Sequence, residues 1–232
     1  MPASPAPPPA ALPDAGAAAP VAPVAVLIAG ATGLVGSHVL RLALDDARVS
    51  RVVAPTRRPL PPHPRLHNPV GELSAFPADA PWWAVDAVVC ALGTTMAKAG
   101  SRAAFRAVDL DLPLLVARRS RAHGARVCAL NSALGADPKS MVFYSRTKGA
   151  LEQALRAMAF VSLTLVRPGL IGGRRQESRP AEGVGIRVSR LLEPLLPRRY
   201  RVVPAERVAH HLLEAAIAGA PGVHVLESEA LV

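Results

Sequence analysis

The sequence has few lysines, few aromatic residues and almost no long apolar run. Its only lysines are Lys98, Lys139 and Lys148, so nearly all of the formal net charge of +10 comes from arginine. The arginines are scattered, and no helix-turn-helix or zinc-finger spacing accompanies them, which argues against a nucleic-acid binder. An anionic cofactor, together with an arginine-biased composition, is the preferred explanation of the charge.

Cysteine is equally scarce. Cys90 and Cys128 are the only two, and each lies in an apolar run without His or Asp at ligand spacing, so we expect buried free thiols, no metal site and no disulfide. No charged n-region of a signal peptide precedes Arg41, and the apolar run from Val24 to Val35 is too short for a membrane span. These features predict a soluble, cytoplasmic protein without a membrane partner, either a monomer or a homodimer.

The chain divides into a tail and one domain. Residues 1–23 are mostly Ala and Pro, which predicts a disordered tail to which we assign no function. Half of the residues are apolar, and Ala, Val and Leu are plentiful, as in a parallel sheet packed against helices. We therefore expect residues 24–232 to form a single domain, with about residues 170–232 contributing a small C-terminal substrate lobe.

A glycine-rich turn follows the first apolar run, Val24 to Ala29, and leads into an amphipathic stretch from Ser37 to Asp45. In this strand, turn and helix order, glycines let the backbone approach a pyrophosphate, and the helix N-terminus faces the anion. The spacing is G-x-x-G-x-x-G rather than G-x-G-x-x-G. The predicted cofactor-binding residues of this turn are Gly30, Thr32, Gly33, Leu34, Val35 and Gly36.

The second predicted strand, Arg51 to Pro55, ends in Thr56, Arg57 and Arg58. In a dinucleotide fold the tip of this strand lies near the adenosine ribose, where a carboxylate would bind NAD and an arginine can meet the 2′-phosphate of NADP. We predict NADP as cofactor, with NAD possible. The alternative is that both arginines simply face solvent.

Further strands alternate with helical patterns, which predicts an α/β fold of the Rossmann type, with a doubly wound, mainly parallel sheet. The strands are predicted at Leu66 to Leu73, Ala87 to Leu92, Arg126 to Leu130, Val161 to Val166 and Val223 to Leu226, and the helices at Ser101 to Arg121 (interrupted at Pro113), Ile186 to Leu196 and Ala205 to Ala218. The strand ends place Leu92, Gly93 and Thr94 against the cofactor. His63 and His67 fall in a proline-rich stretch and are interpreted as solvated loop residues rather than a metal pair.

The strongest catalytic pattern is Tyr144 followed by Lys148. A helix is predicted from about Pro138 to Met158, capped by Asp137, and it would bring the two side chains onto one face. A neighbouring ammonium lowers the pKa of a phenol, and such a tyrosine can act as a general acid or base. The alternative is a surface helix that carries a Tyr and a Lys by chance.

Together these motifs resemble the short-chain dehydrogenase/reductase superfamily, in its atypical and extended branches. The resemblance is carried by the Gly30 to Gly36 turn, the serine of Asn131-Ser132, Tyr144 to Lys148 and Arg167-Pro168-Gly169. Two further stretches, Cys90 to Thr95 and Arg175 to Pro180, are similar to the Tat-interacting-protein branch of NADP-binding oxidoreductases.

The resemblance implies catalytic roles for Ser132, Tyr144 and Lys148. Tyr144 would exchange a proton with the substrate oxygen, Ser132 would hydrogen-bond that oxygen, and Lys148 would hold the nicotinamide ribose, while Arg167 and Pro168 would adjoin the nicotinamide. The predicted function is an NADP(H)-dependent oxidoreductase acting on a small carbonyl or alcohol. The alternative is a catalytically silent NADP(H)-binding regulatory or protein-interaction module. The short C-terminal lobe argues against a large sugar-nucleotide substrate.

Overall fold

A computed structural model describes residues 23–172 and 197–232. The predicted tail, except for Pro23, lies outside the described residues. So do the predicted loop from Gly172 to Gly185, apart from Gly172 itself, and the predicted helix from Ile186 to Leu196. The predicted substrate lobe is therefore described only in part.

The strands of the described residues are β1 (Val24–Ala29), β2 (Val49–Val53), β3 (Leu66–His67), β4 (Ala87–Cys90), β5 (Val127–Asn131), β6 (Ser162–Arg167), β7 (Ile171–Gly172), β8 (Val203–Pro204) and β9 (Gly222–Glu227). Seven of them form one parallel sheet in the order β3-β2-β1-β4-β5-β6-β9, and β7 and β8 form a separate parallel pair. The order reverses between β1 and β4. Ligands bind at the carboxyl ends of the strands at such a switch point in open α/β sheets.

Helices cover both faces of the sheet. They are α1 (Leu34–Asp45), α2 (Met96–Ala99), α3 (Arg102–Arg106), α4 (Leu112–Ala122), α5 (Phe143–Ala157) and α6 (Ala205–Ala218), and a π-helical segment (Ala107–Asp111) joins α3 to α4. One apolar cluster packs α1 and α6 on the sheet, and a second packs α4 and α5 on the opposite face. The doubly wound α/β fold predicted from the sequence is confirmed.

The helix that carries Tyr144 starts later than expected. It begins at Phe143, with Val142 before it and no side-chain cap, so the prediction that Asp137 caps a helix starting at Pro138 is wrong. The Asp137 Oδ1 instead accepts the Lys139 N–H at 2.8 Å within a turn. The backbone of this turn crosses α5 so closely that a Cβ at Gly149 would lie 2.1 Å from the Asp137 carbonyl carbon. The segment therefore packs across α5 instead of extending it.

The predicted helix from Ser101 to Arg121 is interrupted, as Pro113 indicates, but the interruption begins earlier, at the π-helical segment. Pro113 lies in the first turn of α4, directly after that segment. The third strand is only two residues long, and an isolated bridge between Thr56 and Val70 extends its pairing. No helix in the described ranges is long and apolar enough to cross a membrane.

Candidate active site

The glycine turn after β1 is tight, and its geometry requires glycine. Gly30 has a φ of +89°, and a Cβ there would lie 2.8 Å from the carbonyl of Ala91. A Cβ at Gly36 would lie 2.0 Å from the Gly30 carbonyl oxygen, while the Gly33 N–H donates to that same oxygen at 2.9 Å. The turn after β1 is thereby packed directly on the chain that follows β4, just before Leu92.

The N-terminus of α1 suits an anion. Within the described residues no side chain caps this 12-residue helix, and its first turn has no acidic residue. Thr32 and Gly33 are exposed at its start. Uncapped N–H groups and the positive end of the helix dipole together attract a phosphate. The turn and the helix start therefore fit the pyrophosphate of a dinucleotide.

Arg57 and Arg58 lie in a turn whose backbone is held in place. The Thr56 hydroxyl donates to the Arg58 carbonyl at 2.6 Å and accepts the Asn68 amide N–H at 2.8 Å. Both arginines are exposed, and in residues 23–172 and 197–232 neither guanidinium has an ion pair or hydrogen bond. The pair is placed beside the carboxyl end of β2, where the sequence predicted a phosphate contact.

Tyr144 and Lys148 lie one turn apart on α5, but Lys148 has a partner that the sequence did not reveal. Its ammonium is 2.8 Å from the Asp109 Oδ1, and the two side chains are only 4% and 1% exposed. The Asp109 Oδ2 accepts the Thr94 N–H at 2.7 Å. A Cβ at Gly93 would lie 3.4 Å from Asp109 Oδ1 and 3.9 Å from Lys148 Nζ. The predicted residues Gly93, Thr94 and Lys148 are thus brought together.

The expected low pKa of the tyrosine is wrong. Tyr144 is 38% exposed, and its partial burial raises the pKa of the phenol; Lys148 lowers this pKa and Asp109 raises it again. The net shift is upward because burial is the largest of the three effects and Asp109 adds to it, so that together they outweigh the effect of the Lys148 ammonium. Without a bound ligand, the Tyr144 hydroxyl is therefore protonated at neutral pH.

Ser132 belongs to a buried ionic network. Its hydroxyl donates to the Glu152 Oε1 at 2.5 Å. The Arg167 guanidinium donates to the same carboxylate at 2.6 and 3.0 Å and to Glu227 at 2.8 Å. The Ser132 proton therefore points at Glu152, and only the lone pairs of its oxygen are left for a ligand. Arg167 is committed to two carboxylates, which differs from the cofactor contact predicted for it.

Tyr144 opens onto a cavity of about 260 Å³. It is bordered by Ala133, Leu134, Tyr144, Pro168, Gly169, Leu170 and Tyr200. Pro168 and Tyr144 meet here as predicted, whereas Tyr200 was missed because none of the sequence motifs includes it. No group of three or more His, Cys, Asp or Glu residues in the described ranges is arranged to hold a metal ion.

Comparison with known proteins identifies the family. The chain is 37% identical over 169 residues to the mitochondrial protein fmp52 of Emericella nidulans, which covers 68% of this chain and 72% of that protein. It is 35% identical over 164 residues to the mitochondrial protein FMP52 of Eremothecium gossypii, covering 70% of this chain and 73% of that protein. The chain belongs to the Fmp52 family. No family model matches it.

The relatives correct one prediction. The Fmp52 proteins with which this chain aligns are named as mitochondrial, and this finding contradicts the predicted cytoplasmic location. That prediction rested on the absence of a charged n-region before Arg41, and such an absence argues only against a secretory signal peptide.

Solved structures share the fold of this Fmp52-family chain. MoeE5 in complex with UDP-glucose and NAD matches with a TM-score of 0.67 at 20% identity, over 87% of this chain and 74% of MoeE5. The PhqB reductase domain from Penicillium fellutanum matches with a TM-score of 0.61 at 21% identity, over 87% of this chain and 66% of that domain. At these identities the likeness shows the Rossmann-type fold. The narrower resemblance to the Tat-interacting-protein branch stays a prediction.

Proposed function

We propose that this member of the Fmp52 family is an NADP(H)-dependent oxidoreductase of the short-chain dehydrogenase/reductase type, acting on a small carbonyl or alcohol. One observation carries the proposal: Tyr144 and Lys148 lie one turn apart on α5, with Lys148 Nζ beside the backbone of Gly93, at the edge of the sheet where the glycine turn lies. Solved proteins of the same fold are described in complex with NAD, which supports a nicotinamide dinucleotide in general.

The cofactor would lie along the carboxyl ends of β1, β2 and β4. The glycine turn and the α1 N-terminus would hold its pyrophosphate, and Arg57 and Arg58 would bind the 2′-phosphate of NADP. Leu92 to Thr94 would adjoin the nucleotide, and Lys148 and Pro168 would adjoin the nicotinamide end. When bound, the nicotinamide ring supplies or accepts the hydride.

Tyr144 would move the proton. Its raised pKa keeps the phenol protonated at neutral pH, and this state can donate a proton to the oxygen of a carbonyl as hydride arrives at the carbon. The side chain borders the cavity beside Pro168, where a small substrate can approach it. Reduction of a carbonyl uses the phenol in this protonated form, whereas oxidation of an alcohol would need Tyr144 to accept a proton.

A second candidate is a catalytically silent NADP(H)-binding regulatory module. Two observations favour it: the Ser132 proton is directed at Glu152, and the Lys148 ammonium is neutralised by Asp109. Both weaken the stabilisation that Ser132 and Lys148 could give to a proton transfer at Tyr144. The enzyme would turn over a substrate and the regulatory module would not, whereas both would bind NADP(H).

The experiment compares wild type with Tyr144→Phe. We expect wild type to bind NADPH, followed by fluorescence titration, and to oxidise it with at least one member of a panel of small aldehydes and ketones. Tyr144→Phe removes the acid, so turnover falls by about 10²-fold or more while NADPH affinity is retained. Tyr200→Phe removes the other tyrosine hydroxyl that borders the cavity, where no proton transfer is proposed, so its turnover should fall far less than that of Tyr144→Phe. Tight NADPH binding without turnover on any member of the panel would refute the enzyme and support the regulator.

A further inference from the structure

We propose that Asp109 is a positioning residue for the Tyr144–Lys148 pair, acting as the buried counter-ion that orients the Lys148 ammonium and offsets its charge at the Tyr144 hydroxyl. The part of this inference that concerns turnover rests on the proposed function. The electrostatic part concerns the folded chain alone. No sequence motif described above includes Asp109.

The first argument is the burial of Asp109. Its side chain is 1% exposed, and its Oδ1 is inaccessible to solvent and makes no aligned hydrogen bond within the described residues. The Lys148 ammonium at 2.8 Å is therefore the charge that compensates this oxygen. An uncompensated buried carboxylate is costly, so the two side chains hold each other in place. The Thr94 N–H at 2.7 Å fixes the other oxygen.

The second argument is the backbone that carries Asp109. It lies in the π-helical segment between α3 and α4, where one turn contains an extra residue and the direction of the following side chains changes. Asp109 is buried there, while Asp111, two residues later, is exposed. Such π-helical turns occur frequently at functional sites.

The same part of the chain also holds the tyrosine. Phe105 on α3 is fully buried, and its ring centroid lies 5.6 Å from that of Phe143 and 5.7 Å from that of Tyr144. The segment from α3 to Asp109 therefore contacts the first turn of α5 through aromatic rings and contacts Lys148 through charge. Movement of this segment would displace both members of the pair.

Other charged and titratable groups around the pair are few in the described ranges. On β4 the buried Cys90 thiol has its pKa raised to about 11, chiefly by burial, and it senses both Lys148 and Asp109. On α3 the Arg102 guanidinium lies 5.2 Å from the centroid of the Phe143 ring. The Arg146 guanidinium on α5 is bound to the Ser140 and Met141 carbonyls. Tyr200 borders the same cavity as Tyr144.

Besides burial, Lys148 and Asp109 are the two groups in the described ranges that shift the pKa of the Tyr144 phenol. Lys148 lowers the pKa of Tyr144 and Asp109 raises it. The pair is close to neutral as a unit, so removing either member should unbalance the field at the phenol in opposite directions. Removing both Lys148 and Asp109 should largely restore the original field at the Tyr144 phenol.

The test uses the fact that the chain has only two tyrosines, Tyr144 and Tyr200. In the full-length chain with Tyr200→Phe, ultraviolet titration of the phenolate reports Tyr144 alone, with no cofactor or substrate present. In that background we expect Asp109→Asn to lower the midpoint by roughly one pH unit, because one buried charge shifts a neighbouring group on this scale. Lys148→Met should raise the midpoint, and the double variant should return close to the parent.

Asp111→Asn is the matched control, since it removes the same charge two residues away at an exposed position and should leave the midpoint unchanged. An unchanged or raised midpoint in Asp109→Asn, or an equal shift in Asp111→Asn, overturns the proposal. If Asp109→Asn does not fold alone, the comparison of Lys148→Met with the double variant decides: adding Asp109→Asn must lower the midpoint. Because turnover is not measured, failure of the proposed enzyme activity would leave this result intact.

Discussion

Glu152 is the side chain whose removal should most weaken the link between α5 and the sheet. Its carboxylate is 4% exposed and accepts two hydrogen bonds from Arg167 and one from Ser132. Glu152→Gln keeps the shape of the side chain but removes its charge. It leaves Arg167, whose side chain is 21% exposed, with Glu227 as its remaining carboxylate.

The expected cost can be worked from this geometry. Two unit charges about 4 Å apart at an effective dielectric constant of about 20 attract by about 4 kcal/mol, and breaking a buried ion pair costs about 3–5 kcal/mol. Arg167 is partly exposed and keeps Glu227, so we expect a cost at or below the lower limit of this range, about 2–3 kcal/mol. For a chain of this size the melting temperature should fall by roughly 4–12 °C.

The assay is equilibrium unfolding in urea, which is uncharged and does not screen ion pairs, followed by the fluorescence of Trp82 and the fully buried Trp83. Glu227→Gln is the control: that carboxylate is 39% exposed and bonds to the same arginine, so its loss should cost about 0–1 kcal/mol. Added salt should shrink the effect of the exposed variant more than that of the buried one. Equal losses in the two variants would refute the argument that burial makes the Glu152 pair the stronger one.

Two further predictions concern the other face of the sheet. Gly36→Ala should lower the free energy of unfolding by about 1–3 kcal/mol despite the helix preference of alanine, because its methyl group would lie 2.0 Å from a carbonyl oxygen. Ser37→Ala is the neighbouring control. Equal stability of Gly36→Ala and wild type would contradict the close contact in the glycine turn. Arg48 lies 2.7 Å from Asp46 and 2.6 Å from Glu214, and it lowers the pKa of both carboxyls. Groups with a lowered folded-state pKa stabilise the protein above their unfolded pKa, and this stability is lost as the pH falls through the folded value. The difference in melting temperature between wild type and Arg48→Met should therefore be largest at neutral pH and shrink on acidification. A difference that does not change with pH would contradict a stabilising role of Arg48 through the two carboxylates.

Secondary-structure elements that are determined by a short stretch of neighbouring residues could be predicted from the sequence. The helix from Ala205 to Ala218 was predicted with its observed ends, because its apolar spacing is regular and Gly219 follows it. Buried strands such as β4 and β6 were found from short apolar runs, with ends that differ by one or two residues. The glycine turn was found because a strand and a helix flank it.

Elements decided by distant contacts could not be predicted. The start of α5 was misplaced because the Asp137 to Pro138 backbone packs on Gly149, twelve residues further along the chain. A proline preceded by an aspartate resembles a helix start in sequence, and nothing local shows that another helix turn occupies the space. The buried partners of Lys148 and Ser132 were missed for the same reason.

The residue spacing on α5 explains why the relative positions of Tyr144 and Lys148 were predicted correctly and the pKa shift of Tyr144 was not. Tyr144, Lys148 and Glu152 follow one another at intervals of four residues and so share one face of the helix. This periodicity is local, and it correctly places Tyr144 and Lys148 one turn apart. Their charges, however, are balanced by other elements: Asp109 in the π-helical segment pairs with Lys148, and Arg167 on β6 pairs with Glu152. A lysine one turn away lowers the pKa of a tyrosine, but here the burial of the phenol, with Asp109 adding to it, outweighs that effect. The four-residue spacing encodes neither the burial nor the counter-ion.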